Sequence, residues 1–207
     1  MSHKNPPPVV LASGNTGKLQ EFKEILGDLH ISIIPQSDLE ISEIEETGLT
    51  FVENAILKAR HAAKHSGLPA LADDSGLEVD ILNGAPGVYS ARYASTHPGQ
   101  KPDFHENIKK LLSDLIAATQ EERTARFQCV LVLVKHETDP SPLICQGTWE
   151  GRVLSEPRGS HGFGYDPLFF VPTHNCSAAE LPSGVKNQIS HRAAAIAKLI
   201  QALGTKL

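Results

Sequence analysis

The run Val9-Val10-Leu11-Ala12-Ser13-Gly14-Asn15-Thr16-Gly17-Lys18, continued by LQEFKEIL to Leu26, decides the fold class. Four apolar residues make a short buried strand, and Ser13 to Lys18 interrupts it with two glycines. From about Lys18 the apolar positions fall at Leu19, Phe22, Ile25 and Leu26, the spacing of one helix face. Strand, glycine turn and helix in that order open an α/β protein. Gly14 and Gly17 let backbone amides turn toward a ligand, the helix start behind them favours an anion, and Lys18 adds a full charge. The string is not a Walker A loop, because only Asn15 and Thr16 separate the glycines and Leu19 stands where Ser or Thr is required. It is not G-x-G-x-x-G either, so kinase, GTPase and dinucleotide readings lose first place. A tight strand-to-helix turn without any ligand accounts for the spacing equally well.

Outward from this unit, Ile31 to Pro35 reads as a second strand, and Leu39 to Glu46 as an acidic connection with Glu40, Glu43, Glu45 and Glu46. Thr50-x-x-Glu53 is a capping box, which starts a helix that runs to about His65 and stops at Gly67, ahead of Pro69. Asn54, Lys58, His61 and His65 form a polar stripe along it. Ala70-Leu71-Ala72 reads as a brief strand ending in Asp73-Asp74-Ser75-Gly76, with Leu77 to Leu82 extended beyond. A helix follows over Asp103 to Ala118, then the strongest strand, Phe127 to Val134, with Pro142 to Cys145 and Thr148 to Leu154 as its neighbours. Pro157 to Pro172 contains the glycine-rich string HGFGYDPLFF, and Ser190 caps a last helix to Leu203. Residues 1–8 read as a flexible leader and 9–207 as one domain.

At 207 residues the chain is long enough to fold without disulfides or metal staples. Its 24 acidic residues against 19 Lys and Arg give a net charge of −5, which argues against a coat for nucleic-acid backbones. A local basic pocket for one phosphorylated ligand is compatible with it. Cys129, Cys145 and Cys176 are odd in number and show no C-x-x-C spacing, as in a reducing compartment. The longest apolar run, Cys129 to Val134, falls far short of the roughly 20 residues of a membrane helix. The start MSHKNPPP has no apolar core for a signal peptide. The expectation is a cytoplasmic protein with no membrane or nucleic-acid partner.

Several groups carry chemistry, each beside a plainer alternative. Adjacent Asp73 and Asp74 on extended chain point to opposite sides, so one of them enters a given site. Carboxylates at a strand end suit Mg²⁺, which takes one or two protein oxygens and leaves the rest to phosphate and water. The alternative is an Asx turn. Glu45 and Glu46 lie in what is otherwise a solvated acidic loop. His61 and His65 have the spacing of a metal-chelating pair, but Ala62 replaces the Glu of H-E-x-x-H, and an exposed pair, or one lining a polar cleft with Lys58, is the better reading. Phe163-Gly164-Tyr165-Asp166-Pro167 offers aromatics to stack on a base and a carboxylate for its edge, against a turn with core aromatics. Ser190-His191-Arg192 puts cations at a helix start, where the dipole disfavours them unless an anion or acceptor is near, against a frayed, exposed first turn. No G-x-S-x-G and no Cys–His pairing supports a nucleophile.

Taken in order, SGNTGK, EETGLTFVENAILKA, ADDSGLEVDILNGAPGVYSARY, GFGYDPLFF and SHRAAA make the chain resemble the inosine triphosphate pyrophosphatase family from about Val9 to Leu203. The resemblance implies an elongated, two-lobed α/β domain: a long mixed β-sheet flanked by helices, a nucleotide cleft between the lobes, and a homodimer. It implies Mg²⁺-dependent hydrolysis of dITP, ITP and XTP or dXTP to monophosphate and pyrophosphate. By position, Ser13, Gly14, Asn15, Thr16, Gly17 and Lys18 would bind the triphosphate. Asp74 would be general base and metal ligand, beside Glu45 or Glu46, and Ser75 the adjoining substrate contact. Lys18 and Lys58 would support catalysis, and Asn54 would face the same cleft. Phe163, Gly164, Tyr165 and Asp166 would hold the base, with Lys186, His191 and Arg192 closing over base and phosphates. Leu181 to Val185 departs from the acidic pattern of the family, and a more mobile loop is expected there. A pyrophosphatase for pyrimidine or other modified nucleotides, and a non-catalytic nucleotide-binding module, are the alternatives.

Overall fold

The apolar run at the start pairs on both sides. In the computed structural model, which describes residues 8–26, 32–97, 100 and 102–204, strand β1 (Val9–Ala12) lies parallel to both β2 (Ile33–Pro35) and β3 (Ala70–Val79). Val10 stands opposite Ile34 on one edge and Ala70 on the other. Helix α1 (Thr16–Leu26) leads from β1 toward β2, and α2 (Phe51–Ser66) links β2 to β3, the crossovers that parallel strands need. Helix α3 (Phe104–Asp114) precedes β4 (Thr124–Val134), and β5 (Leu143–Val153), β6 (Phe169–Val171) and β7 (Cys176–Ser177) follow. The sheet order is β2-β1-β3-β4-β5-β6-β7, with β5, β6 and β7 antiparallel in turn. Helices α4 (Ser183–Ile189) and α5 (His191–Leu203) end the chain. The expected mixed α/β sheet flanked by helices is present.

The chain divides into two compact units whose boundaries fall inside β3, β4, β5 and α5. The first comprises Met1–Asp74, Cys129–Gly147 and Ala193–Leu207. Its core gathers Leu11, Phe22, Leu71, Leu131, Ile196 and Leu199, each under 4% exposed. The second comprises Ser75–Gln128 and Thr148–Arg192, with Leu77, Leu111, Phe127, Trp149, Leu168 and Phe169 at its centre. Each such Leu or Phe contributes roughly 1.5–3 kcal/mol on burial. Among the described residues no helix is long and apolar enough to cross a membrane, and the three cysteines form no disulfide.

Four expectations need correction. Asp73-Asp74-Ser75-Gly76 does not end a strand: β3 runs unbroken from Ala70 to Val79, with the Asp73 carboxylate paired to Lys18 and that of Asp74 to Lys58. The two strands expected around Gln146-Gly147 are one, β5, in which Gly147 takes an inward position between buried Cys145 and Trp149. Leu181 to Val185 is no loose loop, since α4 starts at Ser183 with the Pro182 carbonyl accepting from the amides of Val185 and Lys186. A proline suits that boundary, where its missing N–H is not needed. Helix α3 is shorter than expected, with Asp103 accepting at its start from the amides of His105 and Glu106. Ile31 and the leader up to residue 7 lie outside the described residues.

Candidate active site

In the first unit the glycine turn is fixed by its own side chains. Ser13 Oγ accepts from the Asn15 amide at 3.3 Å, and Asn15 Oδ1 accepts from the Lys18 amide at 3.1 Å. Asn15 thus caps α1, satisfying one of the amides every helix start leaves open. Ser13 is buried, Gly14 and Thr16 are exposed, and Gly17 sits in the first turn of the helix. The Glu43 carboxylate lies against Gly14, so a side chain there would displace it. Lys18 leaves the first turn of α1 and pairs with Asp73 on β3.

Asp74, one residue on, faces the other way, as alternation on a strand requires. Its Oδ1 accepts from Lys58 Nζ at 2.9 Å and its Oδ2 from Asn54 Nδ2 at 3.3 Å. Lys58 also donates to Glu46 Oε1 at 2.7 Å. Both donors sit one helical turn apart on α2, whose start carries the complete Thr50–Glu53 capping box and whose end is Gly67 in the left-handed region at φ 67°. Buried Asn54 accepts in addition from the Gly48 amide at 2.8 Å. A Cβ at Gly48 would come within 2.7 Å of Asn54 Oδ1, so only glycine lets the acidic segment approach α2 this closely. That approach brings Glu46 to Lys58, whereas Glu45 is exposed. His61 Nε2 meets the Ser42 carbonyl at 2.9 Å and its ring lies 4.5 Å from that of His65, apart from this cluster.

Burial raises the pKa of the Asp74 carboxyl; Lys58 and Lys18 oppose that and Glu46 adds to it. Burial also works against the Lys58 ammonium, but Asp74, Glu46 and Asp73 together outweigh it and raise its pKa, so it stays charged. Three carboxylates, Asp73, Asp74 and Glu46, therefore face two ammonium groups, Lys18 and Lys58. The sequence admits one of Asp73 and Asp74 to a given site; both join this charge set, Asp73 through Lys18 and Asp74 through Lys58.

The second unit holds the remaining candidates. Ser75 Oγ accepts from Arg192 Nη2 at 2.9 Å. Asp166, 2% exposed, accepts at Oδ2 from the Phe163 amide at 2.8 Å and from Lys186 Nζ at 2.5 Å. It is thereby a strut that ties α4 to the Phe163 loop. Gly162 and Gly164 have φ of 74° and 61°, a backbone that side chains rarely adopt. Phe163 is half-buried with the Lys186 ammonium 5.0 Å over its ring. Tyr165 turns inward, where its hydroxyl donates to the Ser90 carbonyl at 2.9 Å and burial raises its pKa. The His191 ring stacks on Phe127 at 4.8 Å, and His191 and Arg192 are both buried at the start of α5.

Known proteins share this sequence and fold. Residues 9–202 match the family model described as the Ham1 family. A protein of Vibrio parahaemolyticus named dITP/XTP pyrophosphatase is 54% identical over 198 residues, covering 96% of this chain and 97% of its own. The solved structure of a HAM1 protein from Coxiella burnetii superposes with a TM-score of 0.88 at 54% identity, over 97% of this chain and 100% of that one. The Staphylococcus aureus Ham1 protein gives a TM-score of 0.82 at 42% identity, with the same coverage. With a family match over nearly all of its length and relatives this similar in sequence and fold, the chain belongs to the Ham1 family.

Proposed function

We propose that this protein hydrolyses non-standard purine nucleoside triphosphates (dITP, ITP, XTP and dXTP) to the monophosphate and pyrophosphate, keeping them out of DNA and RNA. The observation that carries the reading is the charge set beside the glycine turn: Lys18 on Asp73, and Lys58 on Asp74 and Glu46. The set holds one negative charge in excess, so a pure anion binder gains nothing from it and a triphosphate alone is repelled. A divalent cation reverses that balance. Asp74 and Glu46 lie 2.9 and 2.7 Å from one Lys58 Nζ and offer only hard oxygen donors, which fits Mg²⁺. When bound, Mg²⁺ supplies charge neutralisation on the phosphate oxygens.

The chain's own groups do the rest. Lys18 and the amides of the turn from Ser13 to Gly17 hold phosphate oxygens and stabilise the charge that develops as the bond breaks. Water attacks the α-phosphorus, its proton passes to Asp74, and the α–β bridging oxygen leaves with pyrophosphate. Lys58 and Asn54 fix the Asp74 carboxylate, one on each oxygen. Phe163 offers a ring face for the base, and Ser75, Lys186, His191 and Arg192 contribute donors for base and phosphates. A donor aimed at a purine C6 oxygen meets the amine of adenine as another donor, and each such mismatch costs about 1–3 kcal/mol. The name borne by the Vibrio relative supports that base class. A homodimer and a cytoplasmic location, where free thiols persist, complete the proposal.

The test is phosphorus NMR of the protein with Mg²⁺ and, separately, dITP, dGTP, dATP and a pyrimidine triphosphate. The expected products are dIMP and pyrophosphate from dITP, with the standard nucleotides spared. Orthophosphate and dIDP would overturn the bond assignment, and equal turnover of dGTP or a pyrimidine would overturn the base assignment.

A further inference from the structure

We propose that Cys129 and Asp73 are positioning residues for Lys18: the thiol fixes the carboxylate that holds the phosphate-facing ammonium. The proposal rests on the reading of Lys18 as a phosphate contact. The Asp73 side chain is fully buried, and its Oδ1 pairs with Lys18 Nζ while its Oδ2 accepts from Cys129 Sγ at 3.1 Å, short for a sulfur donor. The terminal torsion of an aspartate is soft, so each oxygen that accepts a hydrogen bond narrows where the carboxylate, and the lysine paired with it, can sit. A second anchor on the other oxygen sets its plane. The three residues come from α1, β3 and β4, so the ammonium is referred to two strands of the sheet as well as to its own helix.

The choice of cysteine follows from its surroundings. Cys129 is fully buried and belongs to the apolar core with Leu11, Leu71 and Leu131. A thiol fills such a place as a small hydrophobe and still donates a hydrogen bond. Valine keeps the volume without the donor, and serine keeps a donor. Asp73 and Asp74 then have different tasks despite being neighbours, one orienting Lys18 and the other serving the water.

The test compares Cys129→Val and Cys129→Ser with the wild type. Tripolyphosphate binding with Mg²⁺ is measured by calorimetry, deoxyinosine binding by ligand NMR, and the KM for dITP by steady-state assay. Cys129→Val is expected to weaken tripolyphosphate about tenfold and to raise the KM in parallel, with deoxyinosine unchanged. Cys129→Ser is expected to stay within about twofold of the wild type throughout. Wild-type affinity for tripolyphosphate in Cys129→Val would overturn the proposal. So would a Cys129→Ser as weak as the valine variant, or equal loss of deoxyinosine, since either marks plain packing. A wild type that binds tripolyphosphate but releases no pyrophosphate from dITP breaks the functional reading alone, and the comparison of variants on tripolyphosphate still decides the role of Cys129. A wild type that binds no tripolyphosphate overturns the role of Cys129.

Discussion

Burial works against the charge on Asp74 more strongly than Lys58 and Lys18 support it, so its pKa is raised from the ordinary 3.8. A carboxyl whose folded pKa is raised adds stability below its unfolded pKa and loses that contribution as the pH climbs through the folded value. Asp74→Asn is expected to lower turnover about a thousandfold while dITP still binds. Steady-state turnover beside dITP binding by calorimetry checks this; turnover within about tenfold of the wild type contradicts the role of Asp74 as base. At this scale Lys18 and Lys58 were legible as charges at a glycine turn and on a polar helix stripe, whereas Asp74 was set apart from Asp73 only by the resemblance to the family. Glu45 and Glu46 were not separable, since adjacent loop carboxylates differ only in which one the Gly48–Asn54 contact brings to Lys58.

Among the elements, α2 was readable to within a residue because its signals are local. Thr50 Oγ1 accepts from the Glu53 amide, and the Glu53 carboxylate returns to the Thr50 amide at 2.9 Å. Thr50→Ala is expected to cost about 1 kcal/mol in urea unfolding, and no change would show that the cap is idle. Strands β3 and β5 were each cut short in the sequence reading because Asp-Asp-Ser-Gly and Gln-Gly look like turns until partners distant in sequence are known. Helix α4 was missed for a similar reason, as its anchor is the Lys186–Asp166 pair across 20 residues of chain. Asp166→Asn takes the carboxylate from a buried ammonium and is expected to cost about 3 kcal/mol. It should also raise the KM for dITP while leaving tripolyphosphate binding intact, because the strut supports Phe163 and not the glycine turn. Equal loss of both would contradict that division.

Taken whole, the chain carries a net charge of −5, and its lysines at the candidate site are already matched by carboxylates. Binding to a DNA oligonucleotide, followed by fluorescence anisotropy at about 0.1 M salt, is expected to be undetectable; saturable binding with a steep salt dependence would contradict the small-molecule reading. The α/β class and the family were legible because five motifs keep their order over nearly the whole chain, a far stronger signal than any one of them. The boundaries of the two units were not legible, because they fall within β3, β4, β5 and α5 and leave no mark in composition. The central claim is attack of water at the α-phosphorus, and hydrolysis of dITP in heavy-oxygen water tests it most directly. The account predicts that the label enters the phosphate of dIMP and leaves pyrophosphate unlabelled, read from the isotope shift in phosphorus NMR. Label in pyrophosphate or orthophosphate would place the attack on another phosphorus and contradict it.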